Sequence, residues 1–325
     1  MSSIAVIIVN YGTADLSIAG VDSVLARGHG DHRVEIHLLD NASPGGDGAR
    51  LAQAHRARGW GGRVSLWQER TNHGFGRANN LVIRALAGRD EAPDYIFLLN
   101  PDARLQNEAL SILADHLDRH PAAAAAGAGI ALPSGVPVTA AFRFPSMLSE
   151  FVQAVNLGAL SRLCRSRLVP LPADHPEGPV DWVSGAAVMM RLPVIAALGG
   201  FDPDFFLYYE EVELMHRIRR AGHRIDYVPA ARVIHAEGAA TDVRSSRPDR
   251  VARPAYWYDS WRLYHLKTRG RAGALAAGLG WLGGALLNAL LALPRGQRLK
   301  APKGFLRDFP RRVLWPLIRG GQGAP

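Results

Sequence analysis

The 325-residue sequence predicts an α/β fold built on a doubly wound, mostly parallel sheet with helices on its faces. Three observations lead there. Residues 95–99, YIFLL, are five apolar residues in a row that end abruptly in Asn100-Pro101-Asp102, the pattern of a fully buried central strand. Two earlier apolar runs, residues 4–9 and 34–39, end the same way, in Asn10-Tyr11-Gly12 and Asp40-Asn41-Ala42-Ser43. Stretches with helical spacing separate these runs over the first 120 residues, and strands that alternate with helices pair in parallel.

Taken in order, residues 4–9 read as the first strand and 16–25 as a helix; 34–39 form the second strand and 48–58 a helix. Residues 64–67 are a short third strand, and the glycine turn Asn72-His73-Gly74-Phe75-Gly76 leads into a helix over 77–86. The strand at 95–99 comes fourth. Pro101 cannot extend a ladder, so Asp102 is held at the carboxyl end of a central strand, the edge where open α/β sheets bind ligands. A helix over 107–119 follows, for which Asp102 could equally serve as a turn residue. Residues 121–131 are alanine-rich, 133–145 loop-like, 147–163 amphipathic and 170–179 a proline-rich loop. Residues 182–191 read as one apolar strand, 207–221 as a helix stopped by Gly222, and 224–228 and 231–235 as two short strands. The domain reading places a core domain at 1–245, with halves 1–120 and 121–245, a basic connector at 246–271 and a membrane-associated segment at 272–325.

Composition narrows the class. A single cysteine, Cys164, leaves neither an internal disulfide nor a cysteine-rich zinc site. The start, MSSIAVIIVNYG, has no basic leader and no cleavage-site pattern, so no signal peptide is expected there. The net charge of +9 is unevenly spread: residues 1–240 hold 22 Lys+Arg and 25 Asp+Glu, whereas 241–325 hold 16 and 4. A basic tail suits nucleic acid or anionic lipid. What lies within it favours lipid, because residues 272–293 run for 22 positions without a charge, about 33 Å of helix. Gly280 and Gly284 make a small-xxx-small pair, a candidate helix-contact face. Arg269 and Arg271 precede the segment, eight Lys+Arg follow it, and Phe305, Phe309 and Trp315 are interleaved as in an interfacial segment. Because those charges disfavour translocation of the tail, the segment is expected to lie in the interface or re-enter, with a single span as the alternative.

Four side chains carry the candidate chemistry. Asp40 and Asp102 end parallel neighbouring strands and therefore share one rim. His235 ends a late apolar strand, and Asp102 with His235 suits Mg²⁺ or Mn²⁺ better than a structural zinc site. On the helix at 207–221, Leu207, Glu211, Leu214 and Ile218 share a stripe, which leaves Glu211 as a carboxylate on an apolar face. Glu210, Glu213, Arg217 and Arg220 fall towards the polar side. A partly buried Glu near a helix start can be tuned as a general base.

The ordered set VIIVNYG (6–12), LLDNAS (38–43), NHGFGRANN (72–80), LLNPDARL (98–105), VSGAAVMMR (183–191), GGFDPDFFLYYEEVELMHRIRRAG (199–222) and VIHAEG (233–238) resembles the family 2 inverting glycosyltransferases, and within them the bacterial rhamnosyltransferase-like branch. The resemblance covers about residues 4–270. It implies a GT-A fold, a nucleotide-sugar donor and Mg²⁺ or Mn²⁺. It places Asn10 and Tyr11 under the nucleotide, Asp40 on the pyrimidine, and Asn41, Asn72, Gly74, Phe75, Asn80 and Asn100 around the donor. It makes Asp102 the metal-binding acid, His235 a further metal ligand, and Trp182 and Gly185 residues facing the donor sugar or the acceptor. The sequence departs from the family pattern twice: Asn-Pro-Asp stands for Asp-x-Asp, and Glu210-Glu211 for the commoner Glu-Asp, so either glutamate could be the base, with the stripe favouring Glu211.

The reaction this implies is a single inverting displacement: Glu211 takes a proton from an acceptor hydroxyl, which attacks the anomeric carbon while the diphosphate leaves. The branch suggests dTDP-L-rhamnose as donor, with UDP-hexose or UDP-galactofuranose as alternatives, and a lipid-linked glycan as acceptor at the cytoplasmic face of the inner membrane. No nucleic-acid partner is expected, and no oligomeric state is implied. A dinucleotide-dependent oxidoreductase would need G-x-G-x-x-G after the first strand, where Asn10-Tyr11-Gly12-Thr13-Ala14-Asp15 stands instead. A non-catalytic membrane adaptor on the same fold would have no use for Asp40, Asp102, Glu211 and His235.

Overall fold

The computed structural model describes residues 1–236, 251–296 and 299–320. The chain divides into two compact units: unit 1 comprises Met1–Phe142, Leu171–Pro203 and Leu214–Ser245, and unit 2 comprises Arg143–Pro170, Asp204–Glu213 and Ser246–Pro325.

Unit 1 opens as the sequence predicts, with β1 (Ser3–Asn10), α1 (Ala14–Leu25), β2 (Arg33–Asp40), α2 (Asp47–Ala57), β3 (Val64–Gln68), α3 (Phe75–Ala87) and β4 (Tyr95–Leu99). Strand β1 is flanked in parallel by β2 and β4, with Asn10 opposite Asp40 and Ile7 opposite Leu98. Ile4, Val6 and Ile8 on one face and Ala5 and Ile7 on the other are all at most 1% exposed, as a strand covered on both faces requires. Then come β5 (Ala103–Leu105), α4 (Ala109–Arg119), β6 (Ala123–Ala131) and the short β7 (Pro137–Val138) and β8 (Ala141–Phe142). With β11 (Ala187–Arg191) and β12 (Arg224–His235) from further along the chain, the sheet order is β3-β2-β1-β4-β11-β6-β12-β5.

Several elements differ from the sequence reading. The alanine-rich stretch is a buried strand, β6. Alanine has little intrinsic strand preference, but small residues let neighbours approach: a Cβ at Gly127 would lie 2.4 Å from that of Val183. Beyond β9 (Gly178–Val180), the single strand expected at 182–191 is two: β10 (Trp182–Val183) pairs with β8, and β11 (Ala187–Arg191) joins the main sheet antiparallel to β4 and β6. After α7 (Leu192–Ala197) comes α8 (Glu210–Arg220), which starts three residues later than expected. The two short strands expected at 224–235 are one, β12 (Arg224–His235), whose register on β6 shifts between Val228 and Arg232.

In unit 2, the amphipathic stretch after β8 is two helices, α5 (Met147–Val155) and α6 (Gly158–Leu163), broken at the left-handed Asn156. The expected connector and apolar segment form one helix, α9 (Ala255–Ala292), with a non-helical Gly270 inside it. The start of that connector, and Glu237 and Gly238 of the last motif, lie outside the described residues. Short helices α10 (Phe305–Phe309) and α11 (Trp315–Arg319) follow, joined by a π-helical turn, Pro310–Leu314. Phe305 and Phe309 are not interfacial anchors: at 2% and 0% exposure they pack on Trp281 with ring centroids 4.9 and 4.7 Å apart and form the core of this unit.

The small-xxx-small pair is a helix contact. A Cβ at Gly280 would meet Met147 O at 3.0 Å, and one at Gly284 would meet Phe151 O at 2.5 Å and the Ala154 Cβ at 2.8 Å. One turn on, Asn288 donates to Val155 O (2.9 Å) and accepts from Lys300 N (2.9 Å). Positions four apart on α9 thus meet positions four apart on α5. Gly283, beside them, has nothing within 4 Å of its Cβ position. Gly284→Ala should therefore destabilise the protein by about 1–3 kcal/mol through overpacking against backbone. Gly283→Ala should stabilise it by up to about 1 kcal/mol through helix propensity. Thermal melts of the two variants shifting in the same direction would refute this packing.

Candidate active site

The carboxyl rim of β1, β2 and β4 is organised by Asn10. Its Nδ2 donates to Asp40 Oδ1 (2.9 Å), Ser43 Oγ (3.0 Å) and Asp47 Oδ2 (3.2 Å), and its Oδ1 accepts from Thr13 Oγ1 (3.1 Å) and Ser17 Oγ (2.8 Å). Such a side chain, 0% exposed, holds its neighbours and has little left for a ligand. Asp40, 5% exposed, also accepts from Ser43 Oγ at 2.5 Å. Its Oδ2 would lie 3.1 Å from a Cβ at Gly48, so a glycine there keeps space beside the carboxylate. Tyr11, 38% exposed, stands at the edge of this rim. Ser43 and Asp47 were not singled out in the sequence; a serine and an aspartate in a turn carry no signal that distinguishes a clamp from solvated loop.

The next loop is stitched to the rim by Asn41, which donates to Asn72 Oδ1 (3.0 Å) and Gly74 O (3.2 Å) and accepts from His73 N (3.0 Å). Gly74 takes φ +75°, which favours glycine, and opens α3. Phe75 meets Phe201 edge-on, centroids 5.9 Å apart. Asn80 is 1% exposed, and both its amide atoms are spent on Phe201: Nδ2 donates to the carbonyl (2.7 Å) and Oδ1 accepts from the N–H (2.8 Å). Asn80 thereby fixes the Gly199–Phe201 turn. Gly200, at φ +74°, leaves the room this needs.

Asp102 and His235 do meet. Asp102 Oδ1 lies 3.0 Å from His235 Nε2, and Asn100 Nδ2 lies 3.3 Å from the same nitrogen. The three-residue strand β5, absent from the sequence reading, brings them together: it runs antiparallel to the end of β12, with Ala103 opposite His235. Asp102 is 7% exposed. One oxygen and one nitrogen at this separation fit a hard divalent cation, since an octahedral ion with ligands at about 2.1 Å sets neighbouring ligand atoms about 3.0 Å apart.

A second cluster, His116, His120 and Asp226, also has metal-ligand spacing. Its carboxylate is already balanced: Arg224 donates to both oxygens of Asp226 (2.7 and 2.8 Å), and His116 Nε2 lies 2.8 Å from Oδ2. These partners hold the Asp226 carboxyl below the usual carboxylate range against the opposing effect of burial. Asp226 and His235 sit nine positions apart on β12, roughly 25–30 Å, so this cluster is remote from the rim.

Trp182 stacks on Phe142, centroids 4.0 Å apart and planes 12° apart, across the β8–β10 pair; Gly185 is buried in the bend between β10 and β11.

In unit 2, the start of α8 differs from the helical-stripe reading. Leu207 lies outside the helix, and Glu210 and Glu213 do not face solvent: they are 3% and 4% exposed, whereas Glu211 is half-buried. The first turns of α8 are covered on every side, Val212, Leu214 and Met215 being 4%, 1% and 1% exposed. Just upstream, Tyr208 and Tyr209 take φ +72° and +66°, two successive left-handed residues without glycine, so the helix does not run back through Leu207. Rings on α9 hold them: Tyr208 stacks on Tyr256 (6.1 Å), and Tyr209 packs against Trp257 (6.2 Å) and Tyr264 (5.5 Å). Among the described residues, neither Glu210 Oε2 nor Glu211 Oε2 has a hydrogen-bond partner. Burial raises the pKa of both, and for Glu210 the negative charge of Glu211 adds to burial and drives it well above the usual range. Glu211 therefore ionises first, leaving one carboxylate beside one carboxylic acid.

A family model described as Glycosyl transferase family 2 matches residues 5–140. The N-acetylglucosaminyl-diphospho-decaprenol L-rhamnosyltransferase of Mycobacterium tuberculosis is 32% identical over 221 residues, 64% of this chain and 68% of that protein. Rhamnosyltransferase WbbL of Escherichia coli is 27% identical over 169 residues, 50% of this chain and 61% of that protein. In structure, the mannosyltransferase PcManGT from Pyrobaculum calidifontis, in complex with GDP-Man and Mn²⁺, superposes with a TM-score of 0.55 at 14% identity, covering 97% of this chain and 86% of that one. The fold is GT-A, and the chain belongs to the family 2 glycosyltransferases, in their rhamnosyltransferase-like branch.

Proposed function

We propose that this glycosyltransferase moves L-rhamnose from dTDP-L-rhamnose to a hydroxyl of a lipid-diphosphate-linked saccharide, with inversion, at the cytoplasmic face of the membrane during cell-surface polysaccharide synthesis. The observation that carries the chemistry is the Asp102–His235 pair at the carboxyl rim of the sheet. The names of the Mycobacterium tuberculosis and Escherichia coli relatives support the sugar, and the former supports the lipid-linked acceptor. Asp102 and His235 would hold Mg²⁺ or Mn²⁺, which supplies positive charge against the leaving diphosphate. Asp40, held by Asn10 and Ser43, presents its carboxylate to the pyrimidine. Trp182 and Gly185 face the sugars. Glu211 accepts the proton of the acceptor hydroxyl as that oxygen bonds the anomeric carbon from the face opposite the diphosphate, whose bond to the carbon breaks with the electron pair leaving on oxygen. The nucleoside diphosphate departs, the proton remains on Glu211, and no covalent enzyme intermediate forms.

Asp102→Ala should lower kcat/KM by roughly 10²-fold or more, and chelation should inactivate the wild type reversibly. Full activity in excess chelator would refute the metal assignment.

Glu211→Gln should lose most turnover, on the order of 10²–10⁴-fold, while still binding the nucleotide; Glu210→Gln should lose much less. Since Glu211 must be ionised and its pKa is raised by burial, kcat/KM of the wild type should rise with pH through an ionisation above the ordinary glutamate range. Glu210 stays protonated while Glu211 ionises, so Glu210→Gln, which replaces one neutral group by another, should leave that limb nearly unmoved. Exchange of the two phenotypes would make Glu210 the base.

Calorimetry should find dTDP binding more tightly than purine nucleoside diphosphates, and turnover assays should favour dTDP-L-rhamnose over UDP-hexoses and UDP-galactofuranose. Equal binding of purine and pyrimidine diphosphates, or preferred turnover of a UDP-sugar, would displace the donor assigned here.

A further inference from the structure

We propose that unit 2 docks on an anionic bilayer through one continuous face made jointly by α5–α6 and the C-terminal half of α9, without spanning it. Among the described residues, thirteen of the sixteen exposed large apolar side chains belong to unit 2. Leu279, Leu286 and Leu290 on α9, and Leu293 directly after its last residue, are 60%, 45%, 72% and 64% exposed. Their spacing of seven, four and three residues puts them on one stripe of the helix. The neighbouring stripe, Gly280, Gly284 and Asn288, is the one that α5 covers. Helix α9 therefore has one bare side beside those that α5 and the short C-terminal helices cover.

The register between the helices extends the bare side onto α5 and α6. Met147, 53% exposed, touches the Gly280 position, next to Leu279. Val155, whose carbonyl takes Asn288, is followed at two residues by Leu157, 46% exposed. Leu163, 83% exposed, ends α6. The apolar surface is thus built from segments more than 100 residues apart in the chain and brought together by one helix pair.

Charge selects the occupant. Unit 2 carries 19 Lys+Arg against 8 Asp+Glu, whereas unit 1 carries 19 against 21. Arg162, Arg165 and Arg167 lie exposed around Leu163, and Lys300 and Lys303 lie exposed just beyond α9. An apolar strip edged by cations matches anionic headgroups above acyl chains. A second copy of a unit whose formal net charge is +11 would be repelled. Helix α9 is long and apolar enough to cross a bilayer by length and composition, but a third of its most apolar window is buried in the protein, and Trp281, Phe305 and Phe309 pack together along it. Its bare stripe is one side wide, as an interfacial helix needs. The purpose of this docking rests on the lipid-linked acceptor proposed above; its geometry does not.

The test is sedimentation of the full chain with vesicles of phosphatidylcholine alone or with one-third phosphatidylglycerol. The wild type should partition at least tenfold more strongly onto the anionic vesicles and be released by 0.5–1 M salt, because screening shortens the reach of the basic edge. Leu157→Glu with Leu163→Glu, and separately Leu286→Glu with Leu290→Glu, should each weaken partitioning at least tenfold. All four positions are exposed, so the melting temperature should hold within a few degrees, and dTDP binding by calorimetry should be unchanged. Wild-type failure to bind vesicles, equal binding to neutral vesicles, or retention through alkaline carbonate would overturn the proposal, as would concentration-dependent self-association in place of vesicle binding. Undiminished binding by the α5–α6 variant would overturn the shared face. Lost vesicle binding with intact dTDP binding leaves the catalytic reading standing; the reverse leaves the docking surface standing.

Discussion

The candidate metal site depends on a ladder of three residue pairs. Asp102 follows a proline turn, and His235 ends a strand 133 positions later; only the antiparallel pairing of Ala103, Arg104 and Leu105 with His235, Ile234 and Val233 brings the two together. In a strand a one-residue slip turns every side chain to the other face. The register is therefore a functional quantity, and it is set upstream. Between Val228 and Arg232 strand β12 bulges against β6. Asn107 pins the bulge by donating to Ala230 O (2.8 Å) and accepting from Arg232 N (2.9 Å). Opposite it, Gly129 leaves room that a Cβ would fill, 3.1 Å from Pro229 O. A bulge re-aims the strand beyond it, and here what lies beyond it is His235.

The glutamates rely on a different device. Two left-handed tyrosines cost roughly 1–3 kcal/mol each, and two buried neighbouring carboxyls cost more if both ionise. Both costs are sustained by aromatic packing within unit 2, where Tyr256, Trp257 and Tyr264 of α9 close on Tyr208 and Tyr209. The arrangement has a chemical consequence. Burial raises both carboxyls, and Glu210 further because Glu211 lies beside it, so Glu211 is the first of the pair to ionise. In the proposed reaction this suits Glu211 to the role of base, since a raised pKa matches a hydroxyl proton better than an ordinary glutamate does.

What was legible in the sequence was whatever local chemistry dictates. Fully buried parallel strands are continuous apolar runs, so β1, β2 and β4 could be placed to within a residue or so, and with them Asp40 and Asp102 on one rim. What was not legible depended on distant partners. The alanines of β6 give no strand signal; their smallness makes sense only against Val183 and its neighbours. Strand β5 is too short to show a period. On α8, Glu210 and Glu213 read as a solvated face, and nothing in the periodicity shows that the first turns are covered all round; nor does it show that Tyr208 and Tyr209, held by rings from another part of the chain, turn left-handed and end the helix before Leu207. Asn10 and Asn80 read from the sequence as ligand contacts; that their amides are committed to Asp40, Ser43 and Asp47 or to Phe201 depends on residues up to 121 positions away and has no local signal.

The apolar 22-residue segment shows why length and composition underdetermine a membrane helix. A spanning helix must be apolar all round, whereas an interfacial one needs apolar residues on two unlike sides, one for the protein and one for lipid. Both give the same average. The difference lies in residue size. Glycines at 280 and 284 and the asparagine at 288 form a stripe of small or hydrogen-bonding residues that admits α5 to backbone contact, and leucines at 279, 286, 290 and 293 form a stripe with nothing of comparable size packed over it. Small residues on one side and large ones on the next are what a helix needs when one neighbour is a rigid backbone and the other a fluid. On the docking proposed above, the weak hydrophobicity of the segment, read from composition as a poor span, follows from that division of labour.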